Sequence, residues 1–231
     1  MNKPGPQPML TLGLGLLLAL LALPTLAEQS VAPGINRYYQ DADPAQWRGV
    51  FERDGREVFE RREDILHELR LRPGQSVADI GAGTGFLALM MARAVGPEGR
   101  VYAVDITPSF VEAIRDRAAT EGLDNVVGVV NDPYSIQLPP GSVDLVFSSD
   151  TYHHFEYPHA TLRSIHQALR PDGELVIVDF KRIPGLSSPW VLGHVRAGEE
   201  TVRAEIEAAG FELVERPDFM QTQYFLRFRR R

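Results

Sequence analysis

The chain of 231 residues contains no cysteine and only two lysines. Without cysteine it can form no disulfide framework and carry no lipid anchor on a cysteine at a cleavage site, so its folding does not depend on redox conditions. The formal net charge is −7, and such a chain offers no basic field to attract a nucleic-acid backbone. We therefore expect no nucleic-acid substrate, and no feature of the sequence predicts a stable protein partner.

Long hydrophobic runs are missing except at the N-terminus. Residues 10–23 form a leucine-rich run of about 14 residues, which is short for a helix that spans a bilayer. Lys3 precedes the run, and Pro24 and the small residue Ala27 follow it. This order is typical of a secretory signal peptide, here residues 1–27. We expect a bacterial protein exported to the periplasm; an uncleaved anchor in the inner membrane is the alternative.

A glycine-rich turn carries the strongest local signal in the chain. Residues 77–80 form a short apolar run typical of a buried parallel strand, and apolar residues at helical spacing begin at Phe86. Between them every second residue is a glycine: Gly81, Gly83 and Gly85. Glycine lets the backbone approach a ligand without a Cβ atom in the way, and the start of a helix offers unpaired N–H groups. The stretch therefore predicts a strand, a ligand-binding turn and a helix.

Two residues distinguish this turn from a dinucleotide fingerprint. Phe86 stands where that fingerprint requires its last glycine, and its ring would obstruct the close contact between helix and strand that the glycine permits. Asp79 ends the strand, and a carboxylate there repels a pyrophosphate but suits an ammonium or sulfonium ligand. The pattern favours a positively charged nucleoside, with a nicotinamide cofactor as the alternative.

Polar side chains also follow the next three predicted strands. Residues 101–104 form an apolar strand that ends at Asp105, where an acid can accept hydrogen bonds from both ribose hydroxyls. A third strand over residues 125–130 is followed by Asn131 and Asp132, and a fourth over residues 143–148 is followed by a polar loop. Ligands of open α/β sheets bind beyond the carboxyl ends of the strands, so we expect these side chains to border one site.

Three motifs in this order resemble the class I S-adenosylmethionine-dependent methyltransferases. They are the residues Asp79–Gly85, Asp105 after the second strand, and the residues Leu169–Leu175. The resemblance covers roughly residues 66–215. It implies an α/β fold: a Rossmann-like, seven-stranded, mostly parallel sheet with helices on both faces and a C-terminal antiparallel hairpin. It also implies S-adenosylmethionine as the cofactor.

The domain boundaries follow from this resemblance. The methyltransferase domain comprises residues 71–231, and residues 28–70 form a leader and amphipathic helices before it. In the family such helices often act as a lid over the active site; helices that only pack on the sheet are the alternative. Tyr38, Tyr39 and Arg62 are the candidate lid residues.

The resemblance also implies the residues that contact the cofactor. Asp79 is expected near the methionine end, Asp105 at the ribose and Asp132 at the adenine amino group, with Pro133 and Tyr134 against the adenine ring. The alternative is that Asn131-Asp132-Pro133 forms an ordinary turn without a role in cofactor binding. The complete predicted set is Asp79, Gly81, Ala82, Gly83, Gly85, Asp105, Ile106, Asn131, Asp132, Pro133 and Ser149.

The loop after the fourth strand holds the candidate catalytic residues, Asp150, His153 and His154. These side chains could orient a substrate or take its proton, since a histidine titrates near neutral pH; packing of the loop is the alternative. Adjacent histidines rarely converge on one ion without further ligands, so we predict no metal site.

A second segment without a clear period, residues 186–198, is expected to be a substrate-facing loop. It contains Arg196 and His194. We expect His194 to be an ordinary surface histidine; a substrate contact is the alternative. Before this segment, residues 170–173 are expected to form a turn that leads into a fifth strand.

Together these features predict methyl transfer from S-adenosylmethionine to an unidentified small-molecule acceptor. Two alternatives remain at this stage. One is a non-catalytic nucleoside-binding module of the same fold, and the other is a nicotinamide-dependent oxidoreductase.

Overall fold

The computed structural model describes Met1 and residues 28–231. Apart from Met1, the predicted signal peptide lies outside the described residues and stays a prediction. Among the residues that the structure describes, no helix has both the length and the apolar character needed to cross a membrane.

Within residues 28–231, seven strands form one sheet. Across the sheet their order is β3-β2-β1-β4-β5-β7-β6. Strands β1 to β5 pair in parallel, while β7 pairs antiparallel with both β5 and β6. The predicted α/β fold with a C-terminal antiparallel hairpin is confirmed. The strands are β1 (Ser76–Ile80), β2 (Arg100–Asp105), β3 (Val126–Val130), β4 (Val143–Ser149), β5 (Leu169–Phe180), β6 (Phe211–Glu215) and β7 (Gln223–Arg230).

Helices cover both faces of the sheet. The α-helices are α1 (Pro44–Phe51), α2 (Glu57–Glu60), α3 (Arg62–Leu69), α4 (Phe86–Val95), α5 (Pro108–Thr120), α6 (Pro158–Ala168), α7 (Pro189–His194) and α8 (Glu199–Ala208). One core layer packs α6 and α8 against the sheet, and the other packs α3, α4 and α5 against the opposite face. Because both faces are covered, the central strands are mostly apolar, as their sequences predict.

The turn expected before the fifth strand lies inside β5. Val143 pairs with Leu169, and Leu145 two residues later pairs with Glu174. Residues 170–173 therefore leave the ladder as a bulge and the strand continues beyond them. The chain does turn at the predicted residues, but the strand begins five residues earlier than the sequence indicates.

Helix α7 corrects the prediction of a loop over residues 186–198. The Ser188 side chain accepts a hydrogen bond from the N–H of Val191, and Pro189 occupies the first turn. Serine at the N-cap and proline just after it are strong signals for the start of a helix. The prediction of a loop is therefore wrong for these residues. A helix of six residues is too short to show the hydrophobic periodicity by which longer helices are recognised.

Candidate functional site

The carboxyl ends of β1, β2 and β4 open into a cleft of about 830 Å³. Residues 35–57 cover the cleft from one side, and α7 borders it from another. Most of the predicted site residues line this one cleft. They are Asp79, Gly81, Ala82, Asp105, Ile106, Asn131, Asp132, Pro133, Ser149, Asp150, His153 and His154.

The glycine turn has a conformation that other residues adopt only with strain. Gly81, Gly83 and Gly85 have φ angles of +73°, +55° and +81°. A Cβ atom at Gly81 would lie 2.3 Å from the side chain of Thr151, and one at Gly85 would lie 2.6 Å from that of Ile114. The turn therefore needs glycine for its backbone angles and for the space beside it.

Asp105 at the end of β2 holds this turn in place. Its Oδ2 accepts a hydrogen bond from the N–H of Gly83 at 2.8 Å, and its Oδ1 accepts one from the N–H of Thr107 at 2.9 Å. Burial raises the pKa of the Asp105 carboxyl, while the N–H groups of Thr107 and Gly83 oppose that rise. Each carboxylate oxygen keeps a second lone pair for a ligand in the cleft.

Asp79 is the unpaired acid of the site. Its side chain is buried, with 3% of the residue exposed, and among the described residues it has no hydrogen-bond partner that would favour its charged form. Burial, together with the negative charge of Asp105, raises its pKa to about 7. A buried carboxylate that borders a cleft without a partner is suited to a cationic ligand.

The segment after β3 forms the turn that was the alternative for Asn-Asp-Pro. Asp132 Oδ1 accepts hydrogen bonds from the N–H groups of Tyr134 and Ser135, and its Oδ2 accepts one from Gln137 Nε2 at 2.6 Å. Asp132 still lines the cleft. The expected position of Tyr134 is corrected: its ring stacks on Tyr157 at 4.1 Å and is not part of the cleft lining.

An aromatic row on the N-terminal segment covers the cleft. The rings of Tyr39 and Trp47 lie 4.9 Å apart, and those of Trp47 and Phe51 lie 5.0 Å apart. Phe51 lies over the glycine turn, since a Cβ atom at Gly83 would be 3.2 Å from its ring. We call residues 35–57 the N-terminal cover.

The N-terminal helices take two different positions, and the lid role of the first stays a prediction. Helix α1 belongs to the N-terminal cover, whereas α3 packs into the core through the fully buried Ile65. The candidate lid residues Tyr38 and Tyr39 line the cleft, but Arg62 does not. Arg62 lies over the ring of Phe59 instead.

Arg56 is a site residue that the sequence did not single out. Its Nη2 donates to Asp150 Oδ2 at 2.9 Å, and the two side chains are 19% and 8% exposed. Gln223 Nε2 also donates to Asp150, at 3.3 Å. Burial raises the pKa of Asp150 and the Arg56 guanidinium lowers it. Asp150 therefore ties the cover to the sheet, which leaves it poorly suited to take a proton from a substrate.

The two candidate histidines have different surroundings. His153 is buried, and its Nδ1 lies 2.8 Å from Oδ1 of Asp179 at the end of β5. Burial would lower the pKa of His153, but the Asp179 carboxylate raises it above its ordinary value. Burial and the neighbouring histidines lower the pKa of His154 to about 2. His154 is thus neutral at physiological pH.

His194 is a further residue of the cleft wall. Its Nε2 lies 3.4 Å from Nε2 of His154, and its ring stacks on Trp190 at 4.7 Å. It is half-buried and lines the cleft, so the expectation of an ordinary surface histidine is wrong. Its neighbour Arg196 is directed away and forms two hydrogen bonds with Glu205.

Comparisons with known proteins agree with this geometry. The family model described as "Methyltransferase domain" matches residues 78–177, which include the glycine turn, Asp105 and the histidine loop. Among curated proteins, the chain is 33% identical over 114 residues to a ubiquinone/menaquinone biosynthesis C-methyltransferase of Hydrogenovibrio crunogenus, a match that covers 49% of this chain and 45% of that protein. It is 29% identical over 153 residues to an arsenite methyltransferase of Halobacterium salinarum, covering 63% of this chain and 39% of that protein.

The matches to these two curated relatives span less than half of their length. A solved structure of a SAM-dependent methyltransferase from Aquifex aeolicus superposes more completely. It has a TM-score of 0.71 and 26% identity, and the match covers 81% of this chain and 98% of that one. The family model, the curated relatives and this solved structure together support a class I S-adenosylmethionine-dependent methyltransferase.

Proposed function

We propose that the chain transfers a methyl group from S-adenosylmethionine to a small-molecule acceptor bound beneath the N-terminal cover. One observation carries the proposal: a single cleft joins a glycine turn, an aromatic wall and a buried carboxylate that has no hydrogen-bond partner among the described residues. The glycine turn and the carboxylate suit the cofactor, and the aromatic wall suits an acceptor that must be shielded from water.

The residues of the cleft fit the cofactor by their own chemistry. A Cβ atom at Gly81 would overlap the Thr151 side chain, and one at Gly83 would be in tight contact with the Phe51 ring, so the turn leaves space for a ligand only with glycine. The Asp79 carboxylate would face the positively charged methionine end, and Asp105 would accept hydrogen bonds from the ribose hydroxyls. S-adenosylmethionine supplies an electrophilic methyl group on a sulfonium centre.

The chain's own contribution is orientation and exclusion of water. Holding two reactants in line can supply about 7–11 kcal/mol of a barrier. The aromatic row of Tyr39, Trp47 and Phe51 closes the cleft on the side where an acceptor would enter. Neutral His154 lies beside Tyr39, with ring centroids 5.4 Å apart, and lines the same cleft. Its low pKa makes it a weak base, so we assign it no proton transfer.

The size and charge of the cleft favour a small acceptor. A volume of about 830 Å³ lies within the range of small-molecule sites. The negative net charge gives no attraction for nucleic acid. The names of the relatives, which include a quinone-biosynthesis enzyme and an arsenite methyltransferase, agree with small acceptors as a class.

Calorimetry with purified chain tests the cofactor assignment. We expect S-adenosylmethionine to bind with one site per chain, Asp79→Asn to weaken binding about 10-fold or more through the lost charge, and the exposed Asp116→Asn on α5 to leave binding unchanged. Binding of NAD instead of S-adenosylmethionine would establish the oxidoreductase alternative. Binding without methyl transfer to any member of a panel of small hydroxyl, amine and thiol acceptors would favour the non-catalytic module.

We also propose that the mature chain acts outside the cytosol. The order of charge, apolar run and small residue over residues 1–27 supports this location. This location is independent of the cofactor proposal.

A further inference from the structure

Three histidines from two distant segments meet at one wall of the cleft. His153 and His154 follow β4, whereas His194 ends α7, 40 residues beyond His154. Their ring centroids lie between 4.3 and 5.2 Å apart. Each ring offers a nitrogen such that these atoms all lie within 4.8 Å of one another. Two adjacent histidines would not form a metal site, but the third one changes that assessment.

One pair of the donor atoms, on His154 and His194, has the spacing found in a coordination sphere. Two nitrogens bound tetrahedrally at about 2.0–2.1 Å from zinc lie about 3.3–3.4 Å apart. The Nε2 atoms of His154 and His194 are 3.4 Å apart, which is long for a hydrogen bond between two rings. An ion between these atoms therefore fits the observed distance at least as well as a shared proton.

Asp179 provides the partner that metal-bound histidines usually have. Its Oδ1 lies 2.8 Å from Nδ1 of His153, and its Oδ2 accepts a hydrogen bond from the N–H of His153. Asp179 itself is buried, with 1% exposed. A carboxylate on the far nitrogen fixes the ring and directs the other nitrogen, Nε2, to a metal.

We propose that His153, His154 and His194 together bind one divalent transition-metal ion of the zinc class, with Asp179 orienting His153. Imidazole ligands suit zinc, iron, nickel and copper, and three protein ligands with a free fourth position are typical of catalytic zinc sites. All three histidines line the cleft, so the fourth ligand enters from the cleft. An oxygen-bearing or anionic small molecule in the cleft completes the coordination.

The test uses the full chain without a polyhistidine tag, stripped with a chelator and titrated with Zn²⁺ in a calorimeter. We expect one ion per chain. His194→Ala lowers the affinity about 100-fold or more, and Asp179→Asn lowers it about 10–100-fold. His159→Ala removes an exposed histidine and leaves the affinity unchanged. Equal affinities of wild type and His194→Ala, or no binding at one equivalent, overturn the proposal.

Two further measurements guard against misfolded variants and against surface binding. Co²⁺ bound by three nitrogens absorbs visible light strongly, and azide, as a fourth ligand, shifts that absorption; weak absorption like that of aqueous Co²⁺ rejects the site. Zn²⁺ also raises the melting temperature of wild type and not of His194→Gln. S-adenosylmethionine binding is measured on the same metal-free chain, so loss of the metal site and failure of the cofactor assignment give different results.

Discussion

Arg56 and Asp150 form the ion pair that attaches the N-terminal cover to the sheet, with Nη2 and Oδ2 2.9 Å apart. Asp150 has a φ of +47°, an unusual angle for a residue other than glycine. Arg56 also lies over the rings of Phe51 and Phe86. One guanidinium thus links the aromatic cover, the first helix after the glycine turn and the loop after β4.

Replacing Arg56 should loosen the cover. Arg56→Met removes the partner of a largely buried carboxylate, and breaking such a pair typically costs about 3–5 kcal/mol, less here because Arg56 is partly exposed. We expect weaker S-adenosylmethionine binding in calorimetry and faster proteolysis within residues 35–57. Arg62→Met is the matched control, because Arg62 contacts Phe59 and does not line the cleft. Equal proteolysis of the two variants would contradict the assigned role of Arg56.

Binding of the cofactor should depend on pH through Asp79. Its pKa of about 7 in the free chain means that the carboxyl is mostly protonated at pH 5.5 and mostly ionised at pH 8. A cationic ligand favours the ionised form, so affinity for S-adenosylmethionine should rise as pH increases through 7. Asp79→Asn should remove this dependence. A pH-independent dissociation constant in wild type would separate Asp79 from the binding site.

The Asp79 carboxyl should also make the stability of the ligand-free chain depend on pH. Asp79 is protonated up to about pH 7 in the folded chain but only up to about pH 4 in the unfolded chain. The folded state therefore binds the extra proton between these values, and the free energy of unfolding falls as pH rises from about 4 to about 7. Urea unfolding should show a shallower fall in Asp79→Asn than in wild type, because Asp105 and Asp150, whose pKa values are also raised, remain in both proteins. A parallel pH profile for the two proteins would exclude it.

Gly85 and Gly74 allow the cost of backbone strain to be separated from the cost of steric overlap. Gly85 and Gly74 have nearly the same φ, +81° and +83°, but a Cβ atom at Gly85 would overlap Ile114 at 2.6 Å, while nothing lies within 4 Å at Gly74. Gly74→Ala should cost about 1–2 kcal/mol from backbone strain alone. Gly85→Ala should cost about 1–3 kcal/mol more, because Ile114 is fully buried and must shift. If urea unfolding gave the two variants equal losses in the free energy of unfolding, the Ile114 side chain would be able to move aside without cost.

The parts of the site that the sequence predicted are those encoded locally. The glycine turn, Asp79 and Asp105 follow from a strand, a turn and an acid that are adjacent along the chain, and the parallel sheet then brings the strand ends together. Asp179 could have been found by the same rule, since it lies near the end of β5 as Asp79 and Asp105 do in β1 and β2.

The parts that the sequence did not predict depend on contacts between distant segments. Arg56 meets Asp150 across 94 residues, and His194 meets His154 across 40 residues. Neither position shows a local pattern that separates it from an ordinary surface arginine or histidine. The carboxylate of Asp132 was predicted to contact a ligand, but it also accepts hydrogen bonds from the backbone of its own turn. The spacing of residues along the sequence could not distinguish these two roles.

Export can be tested by the mass of the chain in each cell fraction. If residues 1–27 are a cleaved signal peptide, the periplasmic fraction should contain a chain that begins at Glu28. Replacing Ala27 by a bulky residue, Ala27→Phe, should block cleavage and retain the full-length mass in the membrane fraction. Full-length wild-type chain in the membrane fraction would support the anchored alternative, and full-length chain in the cytosol would refute export.

Glu28, the first residue after the proposed cleavage site, caps a helix that is distant along the chain. Its two carboxylate oxygens accept hydrogen bonds from the N–H groups of His159 and Ala160 at 2.9 and 2.7 Å. These N–H groups lie in the first turn of α6, whose own N-cap residue, Tyr157, supplies no side-chain hydrogen bond. A carboxylate at a helix N-terminus is favoured by unpaired donors and by the helix dipole.

Removing this cap should destabilise the mature chain without affecting the cleft. Glu28→Ala should lower the free energy of unfolding by about 0.5–2 kcal/mol, as for other N-cap losses, and leave S-adenosylmethionine affinity unchanged. Glu63→Ala on α3 is the control, since the Glu63 side chain is exposed and forms no such cap. Because the cap requires Glu28 to lie against α6, a loss of stability in Glu28→Ala but not in Glu63→Ala would also show that the start of the mature chain is fixed on the domain.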